Sequence, residues 1–208
     1  MKLEDRKESV KLRETTKMRT VFLVLIVTIG VAMIASSCNM MSAMDYVKKG
    51  EEYLRTRDYD QAIEYFTKAI NKGGLSTKDL AITHKYRGFA YNAKGKYDAA
   101  IEDLNKAIEL DPTYYAAYSD RGVVFAEKNQ DDLALADFNK AIDLNPQYYM
   151  TYYYKACFYS EKNDTSEACK WLKTAVEKGY SNWSHIKNNN CFDNIRQSAC
   201  YKEIMSGR

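Results

Sequence analysis

The residues of this chain with reactive side chains are five cysteines and two histidines. A cysteine can be a nucleophile, a metal ligand, half of a disulfide or an acylation site, and its neighbours decide which. Cys157, Cys169, Cys191 and Cys200 have no histidine or basic pair beside them that would stabilise a thiolate. His84 stands at a helix-packing position, and His185 has no acidic or cysteine partner at ligand spacing. Both read as packed or partly exposed side chains. The chain has no HExxH pair, no phosphate-binding glycine loop and no nucleophile elbow. No catalytic residue, metal site, cofactor or small-molecule substrate is therefore expected. What remains is cysteine chemistry of two kinds. The four late cysteines allow three disulfide pairings, permitted outside the cytoplasm, or they are four small buried hydrophobes. Cys38 stands apart from them, directly after a run of apolar and small residues.

The elements that carry these residues follow from a repeat. Gly88, Tyr91, Ala100, Leu104, Ala107 and Pro112 recur 34 residues on as Gly122, Phe125, Ala134, Phe138, Ala141 and Pro146. Another 34 residues give Ala156, Tyr159, Ala168, Leu172, Ala175 and Tyr180, and 38 residues back lie Gly50, Tyr53, Ala62, Phe66, Ala69 and Gly74. Small, aromatic, small, large and small residues in one phase are the pattern of a helix–turn–helix repeat. Four extra residues after Gly74 amount to one helical turn, and Ser76 with Asp79 reads as an N-terminal cap. The first helix of repeat two is thus expected to be a turn longer, starting near Thr77.

This series resembles the tetratricopeptide repeat family from about Ala43 to Tyr180. The resemblance implies an all-α fold, an α-solenoid of about four repeats at 43–76, 81–114, 115–148 and 149–180. Residues 181–208 carry Trp183, Ile186, Phe192, Ile195, Tyr201 and Ile204. They read as a C-terminal helical cap over the last apolar face, with a short helix and a final one near Phe192–Met205. Cys157 and Cys169 then fall on the two helices of repeat four, and Cys191 and Cys200 in the cap. Local pairs, 157 with 169 and 191 with 200, are the expected disulfides.

In the family, the first helices of successive repeats line a groove. The resemblance places Val47, Glu51, Leu54 and Arg55 there from repeat one, and Lys85, Phe89 and Asn92 from repeat two. Ser119, Val123 and Glu127 follow from repeat three, and Tyr153, Cys157, Ser160 and Glu161 from repeat four. The set lacks the paired lysines and asparagines with which chaperone-binding members clamp a terminal carboxylate. A protein or peptide partner, as an extended segment or a helix with a few apolar anchors, is expected instead. The 18 tyrosines cluster partly at the starts of repeats three and four, where core, inter-repeat joint and contact surface all use them.

The front of the chain differs. Val21 to Ala35 is apolar, short for a membrane span of about 20 residues and suited to a secretory signal. It ends Ile34-Ala-Ser-Ser-Cys38, which resembles a bacterial lipoprotein signal. That resemblance implies cleavage after residue 37, diacylglycerol on Cys38 and a short linker over 38–42. Met18 begins a compact signal of its own, so 1–17 reads as an over-extended start. The expected location is the cell envelope, facing the periplasm, with the outer membrane favoured over the inner. An uncleaved signal anchor is the alternative. Residues 1–37 hold seven Lys/Arg and four Asp/Glu, leaving 24 of each sign in the rest. A neutral body lacks the basic footprint of a nucleic-acid binder, so nucleic acid is not an expected partner.

Overall fold

A computed structural model describes residues 41–206, and among them the protein is all-α. Residues 1–37 and Cys38 lie outside the described residues, as do Gly207 and Arg208. Four helix pairs follow in order: α1 (Ala43–Arg55) with α2 (Tyr59–Lys72), α3 (Thr77–Ala93) with α4 (Tyr97–Leu110), α5 (Tyr115–Glu127) with α6 (Asp131–Leu144), and α7 (Tyr149–Glu161) with α8 (Thr165–Glu177). A short α9 (Trp183–Asn188), one 3-10 turn (Asn190–Phe192) and α10 (Ala199–Ser206) complete the chain. Each pair packs internally, and each second helix also packs against the first helix of the next pair, so the core is continuous along the stack.

The repeat residues do what their sizes require. Ala62, Phe66, Ala69, Ala100, Leu104 and Ala107 are all fully buried, as are their counterparts in repeats three and four. A β-carbon at Gly50 would lie 2.5 Å from the Phe66 ring, and one at Gly122 would lie 2.7 Å from the Phe138 ring. At Gly88 the nearest atom would be Leu104 Cγ at 3.0 Å. Repeat four has Ala156 at this place, facing Leu172, and both are fully buried.

The turns are built alike. Arg57, Gly95, Asn129 and Asn163 occupy one place in the four repeats, all with positive φ. After each, a backbone N–H reaches back over the turn: Asp58 to Tyr53, Lys96 to Tyr91, Gln130 to Phe125 and Asp164 to Tyr159, each at 2.9 Å. This satisfies helix carbonyls that would otherwise be orphaned. α3 runs 17 residues against 13 in α1, α5 and α7, with Ser76 Oγ accepting from the Asp79 N–H at 3.1 Å. The insertion thus lengthens a helix and opens no loop.

Two expectations at the C-terminal end are corrected. Residues 193–198 form turns, and the last helix begins only at Ala199. Tertiary bonds hold that stretch in place of a helical ladder: Arg196 donates to the carbonyls of Lys187 and Asn189, Asn194 donates to the Ser160 carbonyl, and Ile195 is fully buried. The disulfides are also not local. Cys157 pairs with Cys191 and Cys169 with Cys200, so both tie repeat four to the cap. The reason is geometric: the short α9 turns the chain back over α7 and α8 and brings the cap cysteines to them.

Candidate functional site: a groove along the first helices of repeats two to four

α5 packs against both α3 and α7, and the side chains between them leave a groove. Its larger part, 360 Å³, has Phe89, Val123, Met150 and Tyr154 along its length and Glu127 and Glu161 at its edge. His185, Asn189 and the Cys157–Cys191 disulfide belong to the same lining, so the cap forms one wall. A smaller hollow of 90 Å³ shares Phe89, Val123 and Tyr154 and adds Asn92 and Asp120. Phe89 is 38% exposed, which is unusual for a large apolar side chain here. Larger hollows lie elsewhere. One of 560 Å³ between α8 and α10 is lined mainly by exposed Lys170, Lys173, Glu177 and Glu203. One of 500 Å³ beside His84 and Arg87 borders groups already bonded to each other. Of these hollows among the described residues, the groove is the one that combines apolar anchors with buried acceptors lacking a hydrogen-bond donor.

Those acceptors are Asn92 Oδ1 and Asp120 Oδ2, which have no hydrogen-bond partner. The Lys85 ammonium stands 3.4 Å from Asp120 Oδ2, within ion-pair reach but without a hydrogen bond, and 4.5 Å from the Tyr86 ring centre. Burial pushes the Asp120 carboxyl above its ordinary range, and Lys85 offsets this only in part. The Tyr154 phenol is driven well up, first by burial and then by the Asp120 charge. Glu161 is raised by burial and by its neighbour Glu127.

The residues expected in the groove divide into three groups. Phe89, Asn92, Val123, Glu127, Cys157 and Glu161 line it, and Tyr153, 1% exposed, forms its floor. Tyr153 is fixed there by stacking on Tyr180 at 4.6 Å and on His185 at 5.3 Å, and its phenol accepts from Asn189 at 2.6 Å. Val47, Ser119 and Ser160 are corrected to packing residues. Val47 lies in the core with Ala62 and Phe66, Ser119 Oγ accepts from Thr151 at 3.1 Å, and Ser160 is fully buried. Glu51, Leu54 and Arg55 lie on α1 and do not line either hollow, and Lys85 reaches the site only through Asp120.

Sequence reasoning missed Asp120, Met150, Tyr154 and Asn189. Asp120 carried a signal. The same place holds Lys48, Tyr86 and Tyr154 in the other repeats, so a lone acid there breaks the pattern. His84 is accounted for by Asp103 at 2.8 Å, and His185 Nδ1 shares a hydrogen with the Tyr180 hydroxyl at 2.5 Å. Among the described residues no group of three or more His, Cys, Asp or Glu could hold a metal ion.

Family profiles agree with this architecture. A profile described as TPR repeat matches residues 88–129, and tetratricopeptide repeat profiles match 46–71, 115–148 and 138–170. Together they cover more than half of the chain. The chain belongs to the tetratricopeptide repeat family. Among curated proteins, this repeat protein is 35% identical over 77 residues to the small glutamine-rich tetratricopeptide repeat-containing protein 2 of Saccharomyces cerevisiae. That match spans 37% of this chain and 21% of the relative. It is 29% identical over 79 residues to the yeast heat shock protein STI1, spanning 38% of this chain and 13% of that one. The chain thus spans well under a quarter of the length of these relatives. Among solved structures, MamA superimposes with a TM-score of 0.54 at 28% identity, covering 72% of this chain and 83% of MamA. Proteins built from such repeats mediate protein–protein and peptide binding.

Proposed function

We propose that this protein is a non-enzymatic interaction scaffold, taking a peptide segment or helix of a partner in the groove formed by α3, α5 and α7. The observation that carries the reading is the groove itself, where exposed Phe89 stands beside the Asn92 acceptor, which has no partner, and the buried Asp120 carboxylate, which has only Lys85 at 3.4 Å. Exposed aromatic anchors and unsatisfied acceptors are stabilised when a partner covers them and donates to them. The scaffold is held at a membrane of the bacterial cell envelope through acyl chains on Cys38, facing the periplasm and favouring the outer membrane. Several chains on one residue would suffice for stable anchoring, where a single chain would not. The Cys157–Cys191 and Cys169–Cys200 pairs support an oxidising compartment. No helix among the described residues is long and apolar enough to cross a membrane. The second reading, an uncleaved anchor over residues 21–35, keeps the same groove.

Two measurements test these parts separately. Phe89→Ala is expected to reduce capture of envelope partners several-fold while leaving helicity intact, and unchanged capture would remove the groove from the reading. Intact mass of the membrane-extracted protein is expected to show a chain beginning at Cys38 with added acyl mass, giving way to a longer precursor when the lipoprotein signal peptidase is inhibited. A full-length unacylated chain in both samples would leave the signal anchor.

A further inference from the structure

Every charged side chain lining the groove is a carboxylate, and among the described residues none of the lining groups is a lysine or arginine. Asp120 and Glu127 lie seven residues apart on one face of α5, two turns or about 10 Å. Glu127 and Glu161 occupy equivalent places in successive repeats, and Glu161, raised first by burial, is raised further by the Glu127 charge. Among the described residues neither glutamate makes an ion pair or hydrogen bond; Lys162 pairs with Asp131 at 2.7 Å and acts on Glu161 through its charge alone. Asp120 is 7% exposed, faces the smaller hollow and has its Oδ2 without a donor. A carboxylate buried this deeply is costly unless charge and hydrogen bonds meet it. Lys85, which also lies over the Tyr86 ring, pairs with Asp120 at 3.4 Å and offsets the cost of burial only in part. Beside Asp120 stand the rings of Tyr154 and Phe89, whose faces attract cations.

We infer that the groove selects a peptide segment carrying a lysine or arginine next to an apolar side chain. The cation is received by Asp120 or by the Glu127–Glu161 pair, and the apolar neighbour rests on Phe89, Val123 and Met150. This rests on the peptide-binding reading above and adds its selectivity. The charge is opposite to what a groove for an acidic tail would present. It also argues against a phosphate-bearing ligand, for which these carboxylates are repulsive. A segment with two basic residues can use both acidic positions.

The test is selection of randomised displayed peptides on the full-length oxidised protein, run in parallel on Asp120→Asn and on the Glu127→Gln/Glu161→Gln double variant. Peptides enriched on the wild type are then titrated as synthetic fluorescent copies, with each basic residue also replaced by glutamine or glutamate. The expected result is enrichment of Lys or Arg beside Leu, Ile or Phe. Affinity should fall about tenfold on Asp120→Asn and roughly threefold for each glutamate removed, and should weaken with salt. Circular dichroism of each variant establishes that it is folded. Enriched peptides that are acidic or uncharged, and that lose binding on Phe89→Ala, would overturn the charge selection and leave the groove in place. Basic peptides bound equally by wild type and both acidic variants would overturn it too. A selection with no enrichment, or with peptides indifferent to Phe89→Ala, would overturn the groove reading and this inference with it.

Discussion

In the two inner repeats, the residue before the conserved glycine is an arginine that forks onto an aspartate of its partner helix. Arg87 donates to Asp103 through Nε at 2.7 Å and a terminal nitrogen at 2.8 Å, and its other nitrogen reaches Thr67 of the preceding repeat at 2.9 Å. Arg121 repeats the arrangement on Asp137 and on Asn105. In the two outer repeats the same places hold a lysine over a ring. Lys49 lies 5.7 Å from the Tyr65 centre, and Lys155 lies 3.9 Å from the Trp171 centre while donating to Asn139 at 2.8 Å. In each inner repeat the guanidinium makes three bonds, two to the partner-helix carboxylate and one to the preceding repeat. In the outer repeats the residue sixteen places on is an aromatic ring in place of a carboxylate, so the cation lies on a ring face, and Lys155 does so while buried at 5% exposure. Repeat four adds what repeat one lacks, two disulfides to the cap and a chain of tyrosine contacts running from Tyr114 through Tyr148 and Tyr149 to Tyr180.

Breaking an inner pair should have the largest effect. Asp103 receives both Arg87 and His84, and Asp103→Ala leaves two donors without an acceptor in a part-buried site. A loss of about 3–5 kcal/mol is expected in urea unfolding, whereas Arg87→Met with Asp103→Leu should cost less, because the guanidinium goes with its acceptor and only His84 is left unpaired. A double variant as unstable as the single one would show that packing, not charge, holds this joint. The pair also predicts a pH dependence. Burial raises the Asp103 carboxyl, but the bonds from Arg87 and His84 outweigh it and the net shift is downward from 3.8. A carboxylate with a depressed folded pKa stabilises the fold above its unfolded value and loses that contribution as pH falls through the folded one. Wild type should therefore lose stability below about pH 4 relative to Asp103→Asn, and parallel curves would discount the ion pair.

The disulfides come next. They close loops across sequence separations of 34 and 31 residues, and removing either should cost about 2–4 kcal/mol. Because both bridge repeat four and the cap, reduction should expose the cap first. Hydrogen exchange under reducing conditions is expected to speed in α9, α10 and α7 while α3 and α4 keep their protection. Uniform acceleration along the chain would mean that the stack unfolds as one unit and that the two ends are not separately secured. Since the Cys157–Cys191 bridge lies on the groove wall, the same sample should bind groove peptides more weakly.

The fold was legible because its signals are redundant. Gly50, Gly88, Gly122 and Ala156 each face a large residue sixteen places on, and four copies in one phase leave little freedom to misread. The extra turn in α3 was legible for the same reason, with Ser76 marking its start. The cap was read less well. Its chain from Asp193 to Ser198 is held by side chains reaching across to α7 and α9, and such long-range bonds leave no period in the sequence. The cysteine partners were hidden likewise, since proximity in the chain says little about which cysteines a returning segment brings together. In the groove, family positions located Phe89, Val123 and Glu127. They also included Val47, Ser119 and Ser160, because a helix face one position wide contains both lining and packing residues, and only the neighbouring helix decides between them. Asp120 was passed over because it sits next to that face in sequence and deep within the groove in space.

The smallest expected effect sharpens the contrast between inner and outer repeats. Lys155 is buried enough that its ammonium is pushed below its ordinary range, yet it is held by only one hydrogen bond and by the Trp171 ring. Lys155→Met keeps the stem, fills the same space on the ring and gives up the cation and one bond to Asn139. Desolvation of the ammonium offsets most of what those contacts contribute, so the change should lie within about 1 kcal/mol of neutral. Arg87→Met, which leaves the buried Asp103 with His84 alone, should cost several times more at the equivalent place in repeat two. Placing arginine at 155 should not recover an inner-type joint, since Trp171 offers a ring where Asp103 and Asp137 offer carboxylates. The Lys155→Arg/Trp171→Asp double variant supplies both halves. If it gains a coupling of the kind found between Arg121 and Asp137 in a double-mutant cycle, the residue pair alone sets the joint. If it does not, the surroundings of the pair and not the identity of its two residues decide the joint.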